Sequence, residues 1–229
     1  MGPRTTRQSP SFVYYQEITA YYSLLNLISD SGRVVLGGWC VADSGTTAGA
    51  RWFSLEVSPT QAPWLFDSEG NSSGRISAAE LLATLLSVQL FYDEGARAGG
   101  TVSMSAGTDN LGNQFVLHKL STTKMPLAAV LWQLTSLLQA RGLWLDLAWI
   151  PRESNVEADA LTNADFVGFD PRLRIDVSWE DVDLGIASRL LALDDEWRRE
   201  LAALRDSATH EASAMRAGFK KRRVKQPWG

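Results

Sequence analysis

The chain has 229 residues, of which 45% are hydrophobic and 21% charged, enough apolar content for a sizeable core and too much for wholesale disorder. Its one cysteine, Cys40, excludes an internal disulfide or a cysteine-built zinc cluster and fits a reducing compartment. The net charge of −4 is unevenly placed: Arg216, Lys220, Lys221, Arg222, Arg223 and Lys225 crowd the C-terminal end, leaving an acidic body with a basic tail.

Residues 1–11 read as a disordered lead without an apolar signal core, so an intracellular protein is expected. No run of apolar residues reaches the roughly 18–20 needed to span a bilayer. Tyr21 to Ser29 is apolar and reads as a strand, followed by turn chemistry at Asp30-Ser31-Gly32. Val34 to Ala42 reads as a second strand, in which Gly37-Gly38 allows close backbone approach or a bulge. Arg51 to Ser58 reads as a third. Short turns between the three make an antiparallel meander. Pro63-Trp64-Leu65-Phe66 is an aromatic patch in a loop, expected to dock on the core.

Ile76 to Tyr92 carries apolar residues at helical spacing with no Pro or Gly. Thr101 to Thr108 is a strand running into Asp109-Asn110. Leu111 to Leu120 and Pro126 to Arg141 read as helices, the second closed by Gly142. Leu143 to Ile150 is a strand, and a helix starts after Asn155. Meander followed by βαβ units gives an α/β fold: a mixed five-stranded sheet, three antiparallel then two parallel strands, with helices on its faces. The body is expected over 12–170. A helical arm is expected over 171–229, mostly helix from Trp179 to Ser207. The tail Lys220-Lys-Arg-Arg-Val-Lys225 has the composition of a nuclear localisation signal.

Three isolated acids stand out. Glu80 interrupts an apolar helix, where a lone carboxylate is expensive unless paired or bound to metal. Asp109 ends a strand in the parallel part of the sheet, and ligands of such sheets gather beyond strand carboxyl ends. Asp159 lies in the first turn of the helix after the last strand, where a helix N-terminus also favours negative charge for structural reasons. If they converge, each pair at about 4 Å repels by roughly 4 kcal/mol at an effective dielectric near 20. Cations must then offset the charge. Carboxylates without His or Cys suit Mg²⁺ or Mn²⁺, and two such ions activate water for phosphodiester hydrolysis.

The segments Ile76-Ser-Ala-Ala-Glu80-Leu-Leu-Ala, Thr108-Asp109-Asn110 and Asn155-Val-Glu-Ala-Asp159-Ala-Leu-Thr-Asn163, in this order, resemble the type 1 ribonuclease H domain attached to reverse transcriptases of retroelements. The resemblance covers roughly 21–166. It implies cleavage of the RNA strand of RNA–DNA hybrids with two Mg²⁺ or Mn²⁺ ions and no covalent intermediate. It implies Glu80, Asp109 and Asp159 as metal ligands, with Asn155 steadying the turn before Asp159. The implied partners are the hybrid and a reverse transcriptase or other polyprotein segment, with no membrane.

The family also has a first-strand aspartate. Asp30 and Asn26 both compete for that place. Asp30-Ser31-Gly32 followed by Gly37-Gly38-Trp39 favours Asp30, while Asn26 sits nearer mid-strand and would remove one charged ligand. Trp149 stands where many relatives have a histidine. Lys119, Lys124, Arg152 and the tail are the candidate phosphate contacts. The alternative reading is a catalytically degenerate domain of the same fold, serving as a scaffold or nucleic-acid-binding module.

Overall fold

The structure is a computed structural model that describes residues 18–21, 33–42, 46–92 and 102–222. The chain forms two compact units, Met1–Ala187 and Ser188–Gly229.

In the first unit, β2 (Val34–Ala42) and β3 (Arg51–Val57) pair antiparallel from Val34↔Val57 to Cys40↔Arg51. Farther along, β4 (Val102–Thr108) and β5 (Leu143–Trp149) run parallel, in register from Val102↔Leu143 to Thr108↔Trp149. The four-residue β1 (Ile18–Tyr21) joins these two ladders. It pairs antiparallel with β2 and parallel with β4, giving the order β3-β2-β1-β4-β5. The sheet is therefore mixed, with its parallel part at β1-β4-β5. β1 ends at Tyr21, where the sequence led us to start the strand. Of the strand expected over 21–29, only Tyr21 is among the described residues; the pairing with β2 and β4 adds Ile18 to Ala20 before it. Asn26 and Asp30 lie outside the described residues.

β2 alternates faithfully between two cores. Val34, Leu36 and Cys40 face the main core with α1 (Ile76–Phe91) and α3 (Leu127–Arg141), whereas Trp39 and Val41 face a smaller cluster with Ala158, Leu161 and Phe169. Two adjacent glycines serve the two faces. A Cβ on Gly38 would lie 2.6 Å from Ser87 Oγ and 2.7 Å from Phe53 Cε1. A Cβ on Gly37 would lie 3.1 Å from Leu161 Cβ, in α4 (Val156–Thr162). Each helix thus sits against bare backbone.

α1 buries residues all round, from Ala78 to Phe91, as a helix covered on every side must. The stretch Ser73–Phe91 is long and apolar enough to cross a membrane by composition, contrary to the sequence expectation, but 67% of its most apolar window is buried inside the protein. α2 (Leu111–Lys119) is capped by Asn110, whose side chain accepts from the Asn113 N–H. α3 ends at Gly142 in the left-handed conformation (φ 62°), as expected. The aromatic patch docks: Leu65 and Phe66 are buried and Trp64 packs against the main core.

The segment after Asp170 stays on the body. Trp52 Nε1 donates to the Asp170 carbonyl (2.9 Å) and Ile175 N to the Trp52 carbonyl (2.7 Å). The Arg174 guanidinium stacks 5.3 Å from the Trp52 ring. These contacts place residues 171–187 with the first unit rather than with the arm. Trp179–Asp181 is a single turn, and the long helix α5 runs from Gly185 to Arg222.

Gly38→Ala is expected to lower stability by about 1–3 kcal/mol, the range for overpacking a filled core. Gly74→Ala, where an added Cβ meets nothing within 4 Å, should stay within about 0.5 kcal/mol. Urea unfolding of the two variants checks the contrast.

Candidate active site

The parallel register brings the carboxyl ends of β4 and β5 side by side at Thr108↔Trp149, and Ile150 N donates to the Thr108 carbonyl (2.8 Å). Asp109 is the first residue beyond β4. Its carbonyl accepts from Trp149 Nε1 at 3.1 Å, so the tryptophan in the place expected for a histidine pins the backbone of this aspartate. The Asp109 side chain is only partly exposed, and its Oδ1 is buried with no hydrogen-bond partner among the described residues. Desolvation pushes its pKa up, the nearby charge of Asp159 adds to the rise, and Arg152 opposes it.

Glu80, one turn into α1, is 7% exposed. Two asparagines tie it to the start of α2. Asn110 Nδ2 donates to Ser77 Oγ (3.1 Å). Asn113, fully buried, donates from Nδ2 to the Ser77 carbonyl (3.0 Å) and to Glu80 Oε2 (3.3 Å). Burial and then the charge of Asp109 raise the Glu80 pKa from 4.5 to about 8; side-chain amide hydrogen bonding and Arg152 offset only part of this. The carboxyl group therefore holds its proton at neutral pH in the absence of a cation.

Asp159 lies in the first turn of α4. Its Oδ1 is also buried without a partner among the described residues. Asn155 steadies this turn through its backbone, not its side chain: its carbonyl accepts from Asp159 N (3.1 Å) and its N–H donates to the Arg152 carbonyl (3.0 Å). The side chain makes no cap bond, and Nδ2 is buried and unsatisfied.

Glu80, Asp109 and Asp159 thus come within electrostatic reach of one another, as a chain centred on Asp109, with Arg152 as the cation that acts on both Glu80 and Asp109. Among the described residues no three acids, histidines or cysteines are gathered closely enough to hold an ion as they stand. The oxygen-only donor set, with two buried carboxylate oxygens lacking any partner, fits a hard divalent cation and leaves ligands to draw inward around it. Asp30 lies outside the described residues, and β1 itself reads Ile-Thr-Ala-Tyr, without an acid.

The candidate phosphate contacts separate. Lys124 lines a cleft of about 280 Å³ with Arg75, Ser77 and Gly112, next to the Asn110–Ser77 link. Arg75 is committed in part, donating to the Met125 carbonyl (2.9 Å). Lys119 stacks 5.9 Å from the Phe115 ring. His118 lines a different, apolar cleft with Leu120 and Trp144, and none of the three carboxylates does.

No family model matches the chain, and no curated protein matches it in sequence. Among solved structures it is similar to RNase H1 from the halophilic archaeon Halobacterium salinarum: 18% identity over 66% of this chain and 98% of that one, with a TM-score of 0.43. It is also similar to the N-terminal RNase H domain of a Mycobacterium tuberculosis protein, solved as a fusion with maltose-binding protein. That match has 18% identity over 66% of this chain and 94% of that one, with a TM-score of 0.36. At such distances these likenesses carry no argument about activity, which rests on the residues above.

The Glu80 shift has a signed consequence. Because the folded pKa of about 8 exceeds the ordinary 4.5, the folded state binds the extra proton between those values. The associated stability is complete below pH 4.5 and is lost as pH rises through about 8. Without metal, the melting temperature should fall from pH 6 to pH 8.5, and Glu80→Gln should flatten that fall. Equal slopes for the two proteins would contradict the buried, protonated carboxyl.

Proposed function

We propose that this chain is a divalent-metal-dependent nuclease that hydrolyses the RNA strand of RNA–DNA hybrids. The reading rests on one observation above the rest: Asp109 and Asp159 carry buried carboxylate oxygens with no partner among the described residues, beside a proton-holding Glu80 at the end of the parallel strands. Such a cluster is costly to bury and gains its reason from a cation.

Glu80, Asp109 and Asp159 would hold Mg²⁺ or Mn²⁺, with Asp30 as a further ligand. The bound ions would supply Lewis acidity and a water activated for attack on phosphorus. The chain's own residues do the positioning. Trp149 fixes the backbone of Asp109. Asn113 orients the Glu80 carboxyl, whose proton must leave when a cation binds. Arg152 and the Arg75–Lys124 cleft are suited to phosphate oxygens of the nucleic acid. Water breaks the phosphodiester directly, with no covalent enzyme intermediate. The order of the three acidic segments supports the kind of ribonuclease H domain found beside reverse transcriptases, and hence a retroelement descent.

A degenerate, non-cleaving domain of the same fold is favoured by a different observation. β1 contains no acid, and the described carboxylates do not form a ready three-ligand set. In that case the hybrid is bound without being cut.

The assay is incubation of the full chain with a labelled RNA–DNA hybrid in Mg²⁺ or Mn²⁺. Cleavage confined to the RNA strand is expected. Asp109→Asn should reduce it by more than the roughly 10–100-fold that loss of an outer-sphere metal partner causes. Asp30→Asn should do the same if Asp30 is the further ligand. A folded protein that binds the hybrid but cuts nothing in either metal would establish the degenerate reading instead.

A further inference from the structure

We infer that α5 pairs with the same helix of a second copy of this chain, as a parallel, in-register two-stranded coiled coil. The helix is 38 residues long, about 57 Å at 1.5 Å per residue, and it makes up most of the second compact unit. A helix of this length with a polar majority needs tertiary cover for its apolar face.

The sequence supplies an apolar stripe. Leu190, Leu193 and Trp197 are followed by Leu201 and Leu204. The steps are three, four, four and three residues, so the pattern restarts after eleven. At about 100° per residue all five positions fall within a sector of roughly 80°. An eleven-residue repeat keeps such a stripe nearly parallel to the helix axis, with a slight right-handed drift. Leu193 and Trp197 are each 60% exposed, an unusual presentation for large apolar side chains.

A stripe alone does not say what covers it; the charges beside it do. Arg189 and Asp194 flank the first repeat on opposite sides. Glu200 and Arg205 flank the second. The members of each pair are five residues apart, which puts them about 140° apart around one helix, out of reach of each other. In a parallel pair of helices this is the spacing at which a flanking residue of one strand meets the flanking residue of the other. Both pairs are opposite in sign, and twofold symmetry makes each contact twice. Asp194 also bonds Arg198 within its own helix (2.7 Å), which holds its half-buried carboxylate at the edge of the stripe. An antiparallel pair aligned on the same stripe would instead set Arg205 against Arg205 of the other copy. Both halves of the complementarity are written in one sequence, so the partner this face fits is the chain itself.

The full chain should sediment as a particle of twice its 25.2 kDa mass. Leu193→Glu with Trp197→Glu should convert it to monomer while the near-ultraviolet circular dichroism of the body is unchanged. Glu200→Arg alone and Arg205→Glu alone should each raise the dissociation constant, by about threefold to tenfold for weakened surface ion pairs, and the double variant should restore it. Leu193→Cys in a Cys40→Ala background should form a disulfide-linked dimer on mild oxidation. A monomer at about 100 μM, a weak-association limit, overturns the inference. So does a larger assembly, or a dimer that neither cross-links at position 193 nor recovers in the charge-swapped double variant.

Discussion

Everything in the body is arranged around two bare backbone positions in β2. Gly37 and Gly38 face opposite sides of the sheet, and each lies where an added methyl group would collide with or press on a helix. Gly38 admits α1 and Phe53; Gly37 admits α4. These are the two helices that carry Glu80 and Asp159. The close approach that the glycines permit therefore fixes how deeply both acids are set relative to the end of β4, where Asp109 waits. Side chains at these positions would have to push one helix outward, and interiors at crystal-like density have little slack to absorb that.

Once the helices are seated, electrostatics dominates. Among the described residues, three carboxyl groups share one sheet end, and the Arg152 guanidinium acts on two of them. Glu80 keeps its proton, and two aspartate oxygens are buried with no donor among those residues. A purely structural acid at a helix N-terminus would be expected to accept backbone N–H bonds and to have a lowered pKa. Asp109 and Glu80 shift the other way.

Much of this was legible in the sequence, for local reasons. β2 has the expected limits because Val34 to Ala42 alternates between faces and is bracketed by turn residues. α3 ends at Gly142 because the left-handed cap needs a residue without a Cβ penalty. Glu80, Asp109 and Asp159 stood out because each is an isolated acid, the first inside an apolar helix and the others at element ends. What was not legible depends on contacts between distant segments. β1 is defined by its pairing with β2 and β4, which an apolar run does not disclose. The grip of Asn113 on Ser77 and Glu80 joins residues more than thirty apart; the only local hint was a polar side chain four residues after Asp109 on the helix. Trp149 looked like a missing histidine, and its indole turned out to secure the Asp109 backbone. The apolar stripe of α5 was also open to view, but its charge pairs make sense only across two helices.

The central claim is that Glu80, Asp109 and Asp159 form a divalent-cation site. Its most direct test is calorimetric titration of the full chain with Mn²⁺ at neutral pH, in two buffers of different ionisation enthalpy. The account predicts saturable binding accompanied by proton release, as Glu80 gives up its proton, and loss of that binding in Asp109→Asn. Binding that survives unchanged in Asp109→Asn, or no binding by the folded parent protein, would contradict it.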